Sequence, residues 1–405
     1  MKYWRGYLIA AIIAAITMVI NRLGSTYSKL VDMVYPYLTR TLQDFLTKWS
    51  GGLDFCIWQV AVVVMALLAL VTIVLMIILR WNPIQWFGWI LVGVSCVWLL
   101  HTGMYGLNYH AGPISEDIRL NVTEYTLEEL EQATIYYRDR ANDLADLVDR
   151  DAGGNVIFPE FEDLALEAGN GFESLVLNKS YSIFAGNTHP VKKLGWSKMY
   201  TSMGITGVTM GITGEAAVNP EIPAVSLPFT MCHEMAHRMC IAIERDANFS
   251  AFLACDANTS TEFQYSGYFM AYLYCYEALY AEGSAEATTA AARIDSGVKA
   301  NLRYDLDSYN RFFHDNMDEK ASKRANDVND RYLKISGDKE GVASYSQVSD
   351  LLVSWHIQEV VLPSLQEEEI SNFDPYDETQ VDLSGIVNAK DQPDAEDTDE
   401  AEESD

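Results

Sequence analysis

The sequence predicts a mainly α protein with a small β element, in which amino-terminal membrane helices precede a helical domain. Three observations predict it. The first 107 residues hold three strongly apolar stretches. From Phe229 almost to Leu365, apolar residues recur at helical spacing. Between the two regions, residues 180–230 are rich in Gly, Pro, Thr and β-branched residues, with few helix signals.

The membrane region comes first. Tyr7–Ile20, extended by Trp4 and Leu23, is a short first span over about 7–23. Ile57–Leu79 is long and free of charge, and a third stretch runs over about 84–105. Arg80-Trp81-Asn82-Pro83 makes a tight turn, so the last two spans form a helical hairpin. The first stretch reads either as a retained anchor or as the apolar core of a signal peptide behind Lys2 and Arg5. No small-x-small cleavage site follows it, which favours the anchor. Either way the soluble part ends outside, and Arg80 in the short turn agrees with a cytoplasmic hairpin tip. The 21–55 segment, read as a loop, carries Arg22, Lys29, Arg40 and Lys48 and argues the other way. The expected location is a cell membrane, multi-pass, with the soluble domain extracytoplasmic.

The domain is expected over 110–365. Thr126-Leu-Glu-Glu129 reads as a capping box opening a helix that runs to Val148, and Gly153-Gly154 ends that unit. A second helix fits Phe161–Ala168. Gly204–Thr213 (GITGVTMGIT) reads as an irregular strand or hairpin, and Pro220, Pro223 and Pro228 punctuate a loop after it. Candidate helices follow at 229–243, 244–256, 262–282, 287–315, 317–334 and 345–362, with Gly337 and Gly341 in the turn before the last. Residues 366–405 form an acidic tail; 391–405 hold nine acidic residues and no basic one, so disorder is expected.

Composition narrows the function. The net charge of −29 and the lack of a basic stripe argue against nucleic-acid binding. The six cysteines include no CxxC pair, so a structural zinc ribbon is unsupported. Cys232 and Cys240 read as packing residues.

The chemistry sits in MCHEMAHRMCIAIERDANF at 231–249. His233 and His237 stand four apart, so on a helix both imidazoles reach one metal, and neutral imidazole suits Zn2+. Glu234 then lies beside the zinc-held water, where it takes a proton and later returns it to a leaving amine. Glu244 is a candidate third ligand, with Asn248 supporting a histidine from behind and Asp246 as an alternative. One straight helix would put Glu244 about 10.5 Å beyond His237, so the helix must break. Arg238–Ile243 holds neither Gly nor Pro; without a break, Glu262 or Glu277 takes the role. Tyr265, Tyr268 and His314 are candidate donors to a tetrahedral oxyanion.

The apolar spans, TGEAAVN at 213–219, LPFTMCHEMAH at 227–237, ERDANFSAFLAC at 244–255, YSGY at 265–268 and GVASYSQVSDLL at 341–352 together resemble a bacterial membrane family, domain-of-unknown-function family 3810. The resemblance covers most of the chain up to about Leu365. It implies a zincin-like domain of gluzincin type: His233 and His237 as ligands, Glu234 as general base, Glu244 as third ligand. Relatives often carry glycine three residues after the second histidine, where this chain has Cys240. A strand above the site would bind substrate backbone by β-addition, and GITGVTMGITGE is where it is sought. The expected function is a membrane-anchored zinc metallopeptidase acting on a peptide or protein substrate. Two alternatives stand beside it: a non-catalytic envelope binding protein with a structural or vestigial metal, and a non-peptide amide hydrolase.

Overall fold

The computed structural model describes residues 2–338 and 347–365. The acidic tail and residues 339–346 of the expected final turn lie outside that range. The chain divides into two compact units, Met1–His356 and Ile357–Asp405. The second is described only at its start, a π-helical turn over Ile357–Val361 running on to residue 365.

The first unit begins with α1 (Arg5–Thr26) and α2 (Ser28–Ser50). α3 (Ile57–Ile78) and α4 (Pro83–Met104) follow, with Asn82 capping α4 by accepting hydrogen bonds from the amides of Ile84 and Gln85. Helices α1, α3 and α4 are each long and apolar enough to cross a membrane. α1 and α4 pack closely through small residues: Gly6, Ala10 and Thr17 on one, Gly88, Ser95 and Thr102 on the other. The 21–55 segment is mostly helical rather than a loop. Pro36 lies inside α2, and apolar and polar residues divide between its two faces.

A 3-10 turn (Gly106–His110) and the single turn α5 (Ile114–Asp117) lead into the domain. α6 (Leu127–Ala145) opens on the expected capping box, with both reciprocal bonds between Thr126 and Glu129 present. α7 (Phe161–Lys179) runs longer than its sequence pattern. Then come β1 (Lys192–Lys193), α8 (Ser197–Ser202), β2 (Gly207–Met210) and β3 (Glu215–Val218). β3 is the central strand, parallel to β1 and antiparallel to β2, with Thr209 opposite Ala216. β2 is an edge strand.

The remainder is helical: α9 (Leu227–Arg238), α10 (Glu244–Asp256), α11 (Thr261–Glu282), α12 (Ala285–Ser296), α13 (Ala300–Asn316), α14 (Glu319–Ser336) and α15 (Val348–His356). The expected 287–315 helix is two, because Gly297 closes α12 and Lys299, extended, precedes α13. α9 is the centre of the domain. It packs on β2 and β3 on one side and on α7, α10 and α11 on the others, so all twelve of its residues are buried.

Two contacts join the sheet region to α3. The buried carboxylate of Glu215 accepts from the amides of Ile57 (2.8 Å) and Trp58 (3.1 Å), capping α3, and is paired with Lys192 at 2.8 Å. Gln59 reaches Gly195, bonding both its amide and its carbonyl.

Candidate metal centre

α9 supplies the first two candidate ligands. His233 and His237 lie one turn apart, ring centroids 4.6 Å apart and planes nearly perpendicular. The Nδ1 of His237 is 2.8 Å from the carbonyl oxygen of Ile241, which fixes that nitrogen as the donor and leaves Nε2 for a metal. A second bond holds the same residue's backbone: the Tyr105 hydroxyl donates to the His237 carbonyl at 3.0 Å.

The break that Glu244 requires is present, and Cys240 makes it. The Cys240 amide donates to the His237 carbonyl and the Ile241 amide to the Ala236 carbonyl, the paired bonds that close a helix with a left-handed residue. Glycine usually fills that position; here Cys240 has φ 71°. Its side chain is buried. Ile243 is extended and caps α10, so Glu244 is the first residue of the new helix. There its carboxylate also meets the positive end of the helix dipole.

This turn brings Glu244 back to the histidines. Its Oε2 lies 3.3 Å from His233 Nε2 and 3.2 Å from His237 Nε2. All three ligand atoms lie within 4.8 Å of one another, and all three residues are buried. With bonds of about 2.0–2.1 Å, ligands of a tetrahedral zinc stand about 3.3–3.4 Å apart. The two measured separations match that edge. Two imidazoles and a carboxylate suit the ion chemically and leave a fourth position open. The group can hold a metal ion.

The electrostatics reflect three charges crowded out of water. Burial opposes the charged form of each group, but the pairing outweighs it for two of them. Glu244 drops well below the usual carboxylate range because both histidines surround it. His237 rises to about 9, drawn up chiefly by Glu244. Glu234 rises instead: burial dominates, and the neighbouring histidines and Thr209 only partly oppose it.

Glu234 faces the edge strand. The Thr209 hydroxyl lies 2.7 Å from its Oε2 and 2.9 Å from its carbonyl oxygen. At Gly207 a Cβ would come within 2.3 Å of Glu234 Oε1, so β2 approaches this carboxylate as only glycine permits. The sequence singled out this strand but neither contact; both join residues at least 25 positions apart, which local pattern does not encode.

Other expected residues lie elsewhere. Asp246 accepts from the Ile114 amide and from Arg245, holding α5 instead of a metal. Asn248 is buried, but among the described residues its Nδ2 has no partner, and neither has Nδ1 of His233, so the expected support of a histidine by Asn248 is not made there. Glu262 accepts from Ser260 and Glu277 is exposed at the side of α11; neither joins the group. Each of the three oxyanion candidates has a carboxylate partner of its own. The Tyr265 hydroxyl donates to Asp305, which Arg150 also holds. The Tyr268 hydroxyl donates to Asp256 at 2.6 Å, and His314 is exposed beside Asp315. Tyr109, Tyr274 and Tyr332 stand close enough to feel the charge of Glu244; burial raises all three hydroxyls and that carboxylate adds to it, while at Tyr332 hydrogen bonds to Tyr109 and Ser336 partly oppose the rise. Cys232 and Cys240 are buried free thiols, as packing residues should be.

No curated protein and no solved structure matches this chain. A family model does, over residues 31–353, which takes in most of α2, the two helices of the candidate centre and the edge strand. The chain belongs to the family of proteins of unknown function DUF3810.

Proposed function

We propose that the protein is a membrane-anchored, zinc-dependent peptidase with a zincin-like domain, its spans α1, α3 and α4 crossing a bacterial membrane and its metal centre on the outer side. The observation that carries this reading is the convergence of His233, His237 and Glu244, with Glu234 on the same helix but outside the group. Arg80, in the short turn between α3 and α4, supports the orientation.

A zinc ion held there would supply Lewis-acid chemistry to a water and to a substrate carbonyl. The chain supplies the rest. Glu234 holds a proton at its carboxylate and returns it to the leaving amine; its raised affinity for a proton brings it nearer neutrality, where such exchange is efficient. Thr209 fixes the orientation of that carboxylate. The edge of β2 offers backbone amides and carbonyls to an extended peptide, which favours a polypeptide over a compact amide.

The test uses the full-length chain. Metal content and cleavage of a peptide library are measured for wild type, Glu234→Gln and Glu244→Ala. Wild type should carry about one zinc and cleave; Glu234→Gln should keep the metal and lose cleavage. Metal-loaded wild type that cleaves nothing would sink the reading in favour of a binding protein.

A further inference from the structure

Helix α2 turns the usual pattern inside out. Its inward face is polar or small: Thr39, Gln43, Thr47 and Ser50 are all buried. Its outward face carries Leu30, Met33, Tyr37, Leu38, Phe45 and Trp49, each at least 60% exposed. At 100° per residue the two sets fall on opposite sides of the helix. Water is a poor medium for such a face, and no described segment of the chain covers it. A strongly amphipathic helix of low mean hydropathy is the kind that lies in a lipid interface. The occupant follows from connectivity. α1 ends at Thr26, one residue before α2, and α3 begins at Ile57, six residues after it. Both neighbours are candidate spans, so α2 starts and finishes at the same membrane surface.

The polar face of α2 carries the candidate centre. Gln43 donates to the carbonyl of Gly211 and Thr47 to that of Gly214, both at 2.7 Å, holding the turn between β2 and β3. Arg40 donates to the Met239 carbonyl at the end of α9. From the other side, Tyr105 directly follows α4 and bonds the backbone of the ligand His237. With α2 in the lipid interface, the centre would stand about one helix diameter, ~10 Å, above the lipid. A chain leaving the bilayer covers that height in about three extended residues.

We propose that α2 lies in the lipid interface and that the substrates are membrane-anchored polypeptides, cut within a few residues of their anchors. This rests on the peptidase reading and narrows it.

The experiment places the full-length, zinc-loaded chain in vesicles of phosphatidylethanolamine and phosphatidylglycerol. The substrates carry one cleavable cassette, chosen from a library, either free or 4, 12 or 25 spacer residues beyond a single apolar helix. Cleavage should be strongest at about 4 spacer residues and fall at least tenfold by about 25. Equal cleavage at every spacing, or of the free cassette, overturns the proposal and leaves the peptidase intact. Zinc-loaded chain that cuts none of them overturns both. A second measurement needs no activity: a nitroxide on Phe45→Cys, in a Cys96→Ser background, should be open to oxygen and shielded from an aqueous nickel chelate. The reverse pattern removes α2 from the lipid and ends the proposal.

Discussion

Two helices of this protein break the usual rule of burial in opposite ways. α10 begins with a carboxylate shut away from water against two histidines. α2 turns its largest apolar side chains outward. Neither arrangement is sensible for a chain alone in water: buried charge is costly, and so is a wide exposed apolar face. On the reading proposed above each has a companion, a cation for α10 and lipid for α2. An inversion of burial thus reports what a helix is built to meet.

The comparison breaks most sharply at the ligands. Glu244→Ala should take bound zinc from about one per chain to near none, measured by atomic emission on freshly purified protein, because two imidazoles alone hold the ion poorly. Retained zinc would mean that the carboxylate pairs with histidines for its own sake. Glu234→Gln should keep the zinc and slow cleavage by about 10²–10⁴-fold.

Packing gives the next contrast. Leu253, fully packed on α10, should cost about 2–5 kcal/mol when cut to alanine. Leu38, on the outer face of α2, should cost under ~0.5 kcal/mol in detergent, since most of its surface touches no protein. Similar losses at the two positions, read from denaturation midpoints, would erase the distinction.

Proton linkage sharpens the α10 side. His237 is raised to about 9 in the metal-free fold. That pairing stabilises the apo chain fully below the ordinary histidine value of about 6.5, and the contribution is lost as pH rises through about 9. The apo melting temperature should therefore fall across that window. A metal must displace the same proton, so zinc uptake at pH 7.5 should release about one, read by calorimetry in buffers of different ionisation heat. The smallest effect is expected at the helix break: Cys240→Gly relieves a left-handed residue but removes a buried side chain, and stability should change by less than ~1 kcal/mol.

Much of the fold was legible because its cues are local. The capping box at Thr126 and the start of α10 at Glu244 fall where the pattern places them. The break before Glu244 was required by distance, yet its maker was hidden: a left-handed cysteine leaves no mark in composition. α2 reads as a loop in sequence because Pro36 and its scattered charges conceal a pattern with polar residues facing inward. The contacts of Thr209 and Tyr105 were invisible for another reason, being fixed by how distant segments meet. The tyrosines of α11 were attractive by type alone, and their hydroxyls turned out to serve Asp305 and Asp256.

The cap on α3 has a consequence for assembly. Synthesis runs from the amino terminus, so Ile57 and Trp58 are made well before Glu215 exists. The helix waits with open amides until the sheet forms and closes them. The two halves are therefore not interchangeable parts. Grafting this domain onto foreign spans would leave a buried carboxylate and its lysine facing a gap, and the defect would appear as slow maturation before it appeared as lost chemistry.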